Sequence, residues 1–347
     1  MADNKVRETF RARELAICLS YYDLGIISEI EEFARGSRRA PKVVIDCERG
    51  RFLFKRRTMG RDDLAKVAFT HQIQLTLAGQ NFPLPHLLGT RDSNNSMLVW
   101  EDGIYEMFEY IVGSSYDASL DATFHSGKIL GLYHKLLQDF RSDYQPPTGS
   151  YHGAKAIQQA IRKTVSSLPM DSRPPTEELT ETVGALEQAY KSSARKVHEL
   201  GLAHWQSQIV HGDWHPGNML FREGHVVAVI DYDAARLQQR VIDLANGALQ
   251  FSILGGADDP TTWPDYLDQS RFKRFMRGYD SVNVVSVAEL KAVPYLMCEA
   301  MIAEAVLPIA ATGSFGRLDG FGFLRMVHKK IKWILAHLDE IGRVLED

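Results

Sequence analysis

Residues 209–221, IVHGDWHPGNMLF, restrict the fold more than any other segment because they set polar residues between two apolar stretches. His211, Asp213 and His215 occupy every second position, which on a strand would place their side chains on one face. The Pro-Gly pair that follows cannot continue a strand, since proline has no backbone donor and glycine weakens pairing. We therefore predict a polar loop that leads into a short apolar strand at residues 219–221.

Two kinds of chemistry suit such a loop. One is a metal-dependent hydrolase in which His211, Asp213 and His215 bind zinc or another divalent ion. That enzyme would need further ligands at definite spacings, and the other histidines are scattered along the chain. The other is phosphoryl transfer, which needs an Asp that orients the acceptor hydroxyl and oxygen ligands that hold Mg²⁺. Asp213 and Asn218 supply such groups, as does Asp231 at the end of VVAVID.

The pair HGDWHPGNML and VVAVIDYD resembles the signature of the aminoglycoside phosphotransferase and choline kinase superfamily, which shares the protein-kinase fold. The resemblance implies a kinase that uses ATP or GTP with Mg²⁺ and has Asp213 as its catalytic base. It implies that Asn218 and Asp231 bind Mg²⁺ and that Asp233 is a further acid near the metal. His215 either donates a hydrogen bond to the transferred phosphate or packs within the loop.

Two more residues are predicted to support this loop. The resemblance implies that His211 orients it through backbone contacts, as the equivalent histidine of the superfamily does. Asp243, in VIDLANG at the start of a later helix, is predicted to cap that helix or to brace the loop. Other segments, such as YYDLG and FPLP, are similar to the homoserine-kinase-like and spore-coat-kinase-like branch of the superfamily.

A nucleotide kinase also needs a cation for the phosphates, held on a rigid element. In RFLFKRR, residues 51–57, alternation places Phe52 and Phe54 on one face of a strand and Leu53 and Lys55 on the other. Lys55 is therefore the candidate phosphate ligand, and Leu53 is predicted to line an adenine pocket. Taken alone, this strand would be read as ending in an ordinary exposed lysine.

Two further segments complete the predicted nucleotide site. ARGSRR, residues 34–39, lies where a phosphate-covering turn belongs, and Ser37 with neighbouring N–H groups can face phosphate. EMFEYIVG, residues 106–113, resembles the interlobe hinge of the superfamily, whose backbone at Glu109 and Ile111 would meet adenine. Taken alone, the second segment is an ordinary edge strand.

The helix predicted over 62–78 departs from the kinase pattern. Kinases pair the strand lysine with a Glu on this helix, but residues 64–78 contain no Asp or Glu. Lys55 is then held by Asp62 or Asp63, by neutral polar groups, or by a partner from elsewhere in the chain. The missing carboxylate keeps open the alternative of a kinase-like protein that binds nucleotide with little turnover.

The order of elements predicts an α+β, bilobal protein-kinase-like fold. The expected N-lobe, residues 1–108, is an antiparallel sheet with one helix, and the expected C-lobe, residues 109–347, is mainly helical. The predicted N-lobe strands are 25–34, 41–47, 51–57, 86–90, 96–100 and 104–113. The C-lobe is predicted to have helices over 119–140, over 175–204 and from 239 onward, with a strand pair at 219–221 and 226–231.

Composition limits the partners and the location. The net charge is −4, which gives no basic surface excess for nucleic acid, and no stretch reaches about 18 uninterrupted apolar residues. We therefore predict neither a nucleic-acid nor a membrane partner. Three cysteines without CxxC spacing, and an N-terminus without an apolar leader, are typical of reduced thiols in a cytoplasmic protein.

The expected acceptor is a hydroxyl group of a small molecule, and its identity and the oligomeric state are left open by the sequence. Residues 253–270 combine four Asp with Trp263 and Tyr266 and contain no Lys or Arg. Carboxylates and aromatic rings suit an ammonium-bearing acceptor, although a solvated acidic loop has the same composition.

Overall fold

The structure, a computed structural model, describes residues 7–60, 62–170, 174–256 and 259–344. The chain divides into two compact units. The N-terminal unit contains the residues up to Ser114, together with Arg141–Pro146 and Val227–Asp233. The helical unit contains Ser115–Phe140, Pro147–Val226 and the residues from Ala234 onward. The single boundary predicted at residue 108 assigns the two later segments to the helical lobe instead.

The N-terminal unit is built on one antiparallel sheet. Its strands are β1 (Ile27–Glu32), β2 (Lys42–Cys47), β3 (Gly50–Arg56), β4 (Leu98–Trp100) and β5 (Gly103–Glu109), and its helices are α1 (Ala12–Leu19) and α2 (Leu64–Ala78). The strand order is β1-β2-β3-β5-β4, and each neighbouring pair is antiparallel. The predicted antiparallel-sheet lobe within an α+β class is confirmed.

Two local predictions for this unit were wrong. A single helix was expected, but the eight-residue α1 also forms, because tertiary packing of Cys18 and Leu19 stabilises a helix too short to be stable alone. The segment 86–90 makes only an isolated bridge through Leu87, since β4 already pairs with the first part of β5. The start of α2 is capped by Asp63, whose side chain accepts the Lys66 N–H.

One face of the sheet forms the core of the N-terminal unit. Residues directly opposite each other in antiparallel strands share a face, and the register pairs Val43 with Phe54 and Phe54 with Met107. Phe54 is fully buried, and the rings of Phe10, Phe54 and Tyr105 form a cluster with centroids 5.4 to 6.4 Å apart. This face packs on α1. The side chains at the alternate strand positions point to the opposite face of the sheet.

The remaining elements are mainly helices. They are α3 (Leu120–Leu136), α4 (Lys155–Ser167), α5 (Thr176–Glu199), α6 (Arg240–Ser252), α7 (Gln269–Asp280), α8 (Val287–Thr312), α9 (Gly320–Ala336) and α10 (Leu338–Gly342). The short strands are β6 (Ser207–Val210), β7 (Met219–Arg222), β8 (His225–Val229), β9 (Arg236–Gln239), β10 (Ser314–Phe315) and β11 (Leu318–Asp319). β6 pairs with β9, β7 with β8, and β10 with β11. The mainly helical second part is confirmed; α4 was not predicted because no capping side chain marks its start at Ala154.

α8 is the central helix of the helical unit. α4, α5, α6 and α9 all pack against it, and a reciprocal capping box between Ser286 and Glu289 marks its start. By length and composition alone α8 could cross a membrane, but 78% of its most apolar window is buried inside the protein. That burial is typical of the core helix of a globular unit.

Candidate active site

The loop of residues 211–218 connects β6 to β7 and carries the polar residues of the opening motif. β6 ends at Val210, so the residues that follow leave the strand, and a short 3-10 turn spans Pro216–Asn218. Gly212 has a φ of 77°, and a Cβ there would lie 2.5 Å from the backbone oxygen of Ala234. Only glycine fits this turn, which redirects the chain immediately before Asp213.

Asp213 and Asn218 are joined within this loop. The side-chain nitrogen of Asn218 donates to both the backbone oxygen and a carboxylate oxygen of Asp213, each at 3.0 Å. These bonds turn the amide nitrogen toward Asp213 and leave the amide oxygen as the group that can bind a cation. The loop thus presents one carboxylate and one amide oxygen, which are hard ligands.

His215 lies beside the same carboxylate. Its Nδ1 accepts the backbone N–H of Gly217 at 3.0 Å, and its Nε2 is 3.6 Å from Asp213. Burial alone would raise the pKa of Asp213, but His215, with smaller contributions from His211 and Asn218, lowers it below its ordinary value. Asp213 is therefore an ionised hydrogen-bond acceptor at neutral pH and a weak base.

A buried carboxylate braces the start of the loop. Asp243, in the first turn of α6, accepts the backbone N–H groups of His211 at 2.9 Å and Gly212 at 3.0 Å. His134 on α3 contacts the same carboxylate at 3.2 Å. Asp243 is 1% exposed, and the bracing role predicted for it is confirmed.

The arrangement of the histidines does not form a metal-binding trio. His211 is fully buried and packs its ring edge-on against Trp214, with ring centroids 5.3 Å apart. Within the part of the chain that the structure describes, no group of three His, Cys, Asp or Glu side chains is placed to hold a metal ion. The structure thus gives no support to the hydrolase interpretation.

Glu304 on α8 contributes a second carboxylate to the surroundings of Asp213. It accepts the side-chain amide of Gln250 at 2.6 Å, and its side chain remains open to solvent. Surrounding protein displaces much of its hydration, which is the main cause that raises the pKa of Glu304 to about 7. The Gln250 hydrogen bond and the charge of His215 lower this pKa, whereas the charge of Asp213 raises it.

In the N-terminal unit, Lys55 has a carboxylate partner that was not predicted. Its Nζ lies 3.1 Å from Glu106 on β5, and Glu106 is fully buried. The other oxygen of Glu106 accepts a hydrogen bond from the guanidinium of Arg57 at 2.8 Å and lies 2.7 Å from the Nε2 of His71 on α2. Burial would raise the pKa of Glu106, but its three partners hold it well below its usual range. Of the alternatives left open by the sequence, the structure selects a partner from elsewhere in the chain.

The sheet face that carries Lys55 combines charged and apolar positions. The register places Leu53 opposite Val44 and Phe108. Leu53 and Phe108 lie two residues along their strands from the pair of Lys55 and Glu106, on the same face of the sheet. A lysine next to a strip of apolar side chains can contact phosphate while the strip contacts a flat base.

Asp231 and Asp233 follow β8. Asp231 has a φ of 63°, a left-handed conformation that is uncommon outside glycine and that concentrates at functional sites. Asp233 accepts a hydrogen bond from Arg57 at 2.9 Å. Because Arg57 also binds Glu106, its guanidinium links Glu106, the partner of Lys55, to the segment that contains Asp231 and Asp233.

The sequence profile described as the phosphotransferase enzyme family matches residues 29–282. The chain belongs to this family. The resemblance to the aminoglycoside phosphotransferase and choline kinase superfamily is thereby confirmed. A comparison with curated proteins found no match.

Solved structures of related phosphotransferases share the fold. An aminoglycoside phosphotransferase from Alicyclobacillus acidocaldarius has a TM-score of 0.73 at 16% identity, covering 99% of this chain and 100% of that one. A microcompartment-associated aminopropanol kinase has a TM-score of 0.69 at 13% identity, with coverages of 96% and 99%. An amicoumacin kinase in complex with AMP-PNP, Ca²⁺ and Ami has a TM-score of 0.66 at 12% identity, with coverages of 93% and 93%. The predicted kinase-like fold class is confirmed.

The predicted hinge follows the end of β5, and the predicted turn connects β1 to β2. The backbone N–H of Glu109 donates to the backbone oxygen of His86 at 2.8 Å, and that of Tyr110 donates to the backbone oxygen of Arg51 at 2.9 Å. The backbone groups of Ile111 come directly after these two bonded residues in the chain. In the turn between β1 and β2, the Ser37 hydroxyl accepts the Arg39 N–H at 3.2 Å.

Sequence reasoning missed Glu106, although a signal was present. Alternation along β5 puts Glu106 on the same face as Phe108, where a lone carboxylate in a run of apolar residues needs a cationic partner. Arg57 and His71 carried no comparable signal, because their contacts depend on strand register and on the placement of α2.

Proposed function

We propose that this phosphotransferase is a Mg²⁺-dependent kinase that transfers the γ-phosphoryl group of ATP or GTP to a hydroxyl group of a small molecule. The observation that carries the proposal is the loop in which Asn218 is bound to an ionised Asp213. Phosphoryl transfer depends on the positioning of the reactants and on the neutralisation of charge. An ionised carboxylate positions the substrate hydroxyl by accepting a hydrogen bond from its O–H group.

Asp213 orients the acceptor hydroxyl and receives its proton as the oxygen attacks phosphorus. Its lowered pKa makes it a weak base, which suits a loose transition state in which the proton moves late. His215 accepts a hydrogen bond at Nδ1, so its Nε2 carries the hydrogen that can be donated to Asp213 or to a phosphate oxygen.

Asn218 and Asp231 would hold Mg²⁺, because both offer the hard oxygen atoms that this ion prefers. Bound Mg²⁺ would neutralise the phosphate charge that develops during transfer. Asp233 was predicted as a further acid near the metal. Since one of its oxygens is bound to Arg57, we propose that it positions the Asp231 segment.

Lys55 binds nucleotide phosphate in this proposal. Leu53 contacts the base, and the backbone at Glu109 and Ile111 meets its polar edge. Ser37 and its turn cover the phosphates. The amicoumacin kinase relative was solved with AMP-PNP and Ca²⁺, which supports a nucleotide and a divalent cation as cofactors here.

The acceptor is proposed as a small hydroxyl compound. The names of the relatives point to aminopropanol and to antibiotics, which supports this class without selecting one member. The weakly active, nucleotide-binding alternative depended on an unpaired Lys55, and Glu106 now supplies the missing carboxylate.

The test measures transfer of labelled γ-phosphate from ATP and from GTP, with and without Mg²⁺, to a panel of sugars, amino alcohols and aminoglycosides. The expected result is Mg²⁺-dependent transfer to at least one acceptor, which is lost in Asp213→Asn. Tightly bound zinc together with hydrolysis that needs no nucleotide would overturn the proposal.

A further inference from the structure

Lys42 and Lys55 lie directly opposite each other on the paired strands β2 and β3. Directly opposite residues have Cβ atoms only about 4.5–5.5 Å apart on the same face, and like charges in this position are destabilising. The sheet thus carries two neighbouring ammonium groups on its nucleotide face. An arrangement that opposes folding in this way is expected where function requires it.

The two lysines differ in how their charges are balanced. Lys55 has Glu106 as its carboxylate partner, whereas the Nζ of Lys42 donates to the backbone oxygen of Arg35 at 3.2 Å. Across the described ranges, no carboxylate lies within ion-pair distance of Lys42. Burial lowers the pKa of Lys42, and the nearby charge of Lys55 lowers it further. Lys42 is therefore a partly buried cation without a paired carboxylate among the described residues.

The ammonium group of Lys42 lies against the turn between β1 and β2. A Cβ placed on Gly36 would be 2.7 Å from the Nζ of Lys42, and Gly36 has a φ of 74° that favours glycine. The turn contains Ser37, and the charge of Asp231 also acts on Lys42. The cation thus lies among the residues proposed for phosphate and for metal.

We propose that Lys42 is a second phosphate-binding lysine, which binds the polyphosphate of the nucleotide together with Lys55. This inference rests on the proposed function, because it requires a nucleotide on this face. An ammonium group has three hydrogens, so Lys42 can keep its bond to Arg35 while it donates to phosphate oxygens. The bound anion supplies the missing counter-charge and relieves the repulsion between the two lysines.

The test measures equilibrium binding of AMP, ADP and a non-hydrolysable ATP analogue, and of the guanine equivalents, with Mg²⁺. Lys42→Met is expected to weaken binding of the triphosphate analogue by about 10-fold or more, since hydrogen bonds to charged groups contribute on that scale. The effect should be smaller for the diphosphate and absent for the monophosphate. Lys42→Arg should retain most of the affinity, and Lys66→Met, which removes the same charge from an exposed site on α2, should change nothing.

Thermal unfolding shows whether Lys42→Met is folded, and its Tm should equal or exceed that of the parent because a like-charge pair is removed. Unchanged triphosphate affinity, or equal weakening for mono- and triphosphate, would overturn the role of Lys42 and leave the proposed function standing. If the unaltered protein binds no nucleotide at all, the proposed function fails first.

Discussion

Lys55 and Glu106 face each other across β3 and β5, with the Nζ of the lysine 3.1 Å from a carboxylate oxygen. The carboxylate that neutralises Lys55, the lysine proposed to bind phosphate, thus comes from the same sheet, while His71 of α2 contacts the other carboxylate oxygen. Backbone pairing between the two strands fixes both partners, so the position of Lys55 depends on strand register.

Glu106→Gln tests this pair. The substitution keeps the shape of the side chain but leaves Lys55 and the buried Arg57 without their shared counter-charge. Removal of one partner from a buried ion pair costs about 3–5 kcal/mol, so we expect a clearly lower Tm and weaker nucleotide binding. Thermal unfolding and nucleotide titration measure the two effects.

The control is Glu31→Gln, which removes an equally negative side chain from an exposed pair with Arg51 on the same sheet. Exposed pairs contribute about 0–1 kcal/mol, so this variant should behave like the parent. Equal Tm values for the two variants would contradict the role given to Glu106.

Asp243→Asn tests the brace of the catalytic loop. The amide oxygen can still accept one backbone N–H, but the NH₂ group would face the N–H of His211 or of Gly212. A buried donor left unpaired costs about 1–3 kcal/mol, and the loop should shift. We expect a reduced kcat with little change in the KM for nucleotide.

The matched control for stability is Asp319→Ala, which removes the side chain that caps α9 through the Gly322 N–H. Loss of such a cap costs about 0.5–2 kcal/mol. If this control lowers kcat as much as Asp243→Asn does, the effect is a general loss of stability and not a loss of loop position.

The local features of the site could be predicted from the sequence, whereas its long-range contacts could not. The Pro-Gly pair after His215 requires a loop, and alternation in RFLFKRR separates Phe54 from Lys55 without any tertiary information. The partner of Lys55 depends on which strands pair and in what register, and β5 lies some 50 residues away in the chain. The helix α1 escaped notice for a similar reason, since its stability comes from packing on the sheet.

Asp213→Asn tests the proposed catalytic base. The contact of Asp213 with the acceptor proton matters mainly in the transition state, so its loss should depress turnover and spare nucleotide binding. General-base contributions run about 10²–10⁴-fold, and we expect kcat to fall within that range. Nucleotide affinity, measured by titration, should stay within a few-fold of the parent.

Asp231→Asn tests the proposed metal ligand, and its effect should differ from that of Asp213→Asn. A carboxylate that binds Mg²⁺ is needed for productive binding of the metal-nucleotide complex, so this variant should be nearly inactive. Nucleotide titrations with and without Mg²⁺ should show that most of the Mg²⁺ dependence is lost. Equal and mild effects of the two substitutions would mean that the roles assigned to the loop and to the Asp231 segment are wrong.

Glu304 leads to a prediction about pH. Its pKa in the folded protein, about 7, lies above the ordinary value of 4.5, so the folded state binds this proton more tightly than the unfolded chain does. Its contribution to stability is therefore present at low pH and declines as the pH rises from about 4.5 through 7. Glu304→Gln should flatten this decline when Tm is followed against pH.

The same ionisation should appear in catalysis, because Glu304 lies within the electrostatic reach of Asp213 and His215. The pH profile of kcat/KM reports groups of the free enzyme, so we expect a step near pH 7 that Glu304→Gln removes. A cationic acceptor should be used more efficiently above this pH, where the carboxylate is charged, whereas a neutral acceptor should gain nothing. Glu340→Gln, an exposed carboxylate on α10, should leave the step in place. A step that persists in Glu304→Gln would contradict the assignment to Glu304 and place the ionisation on another group near Asp213.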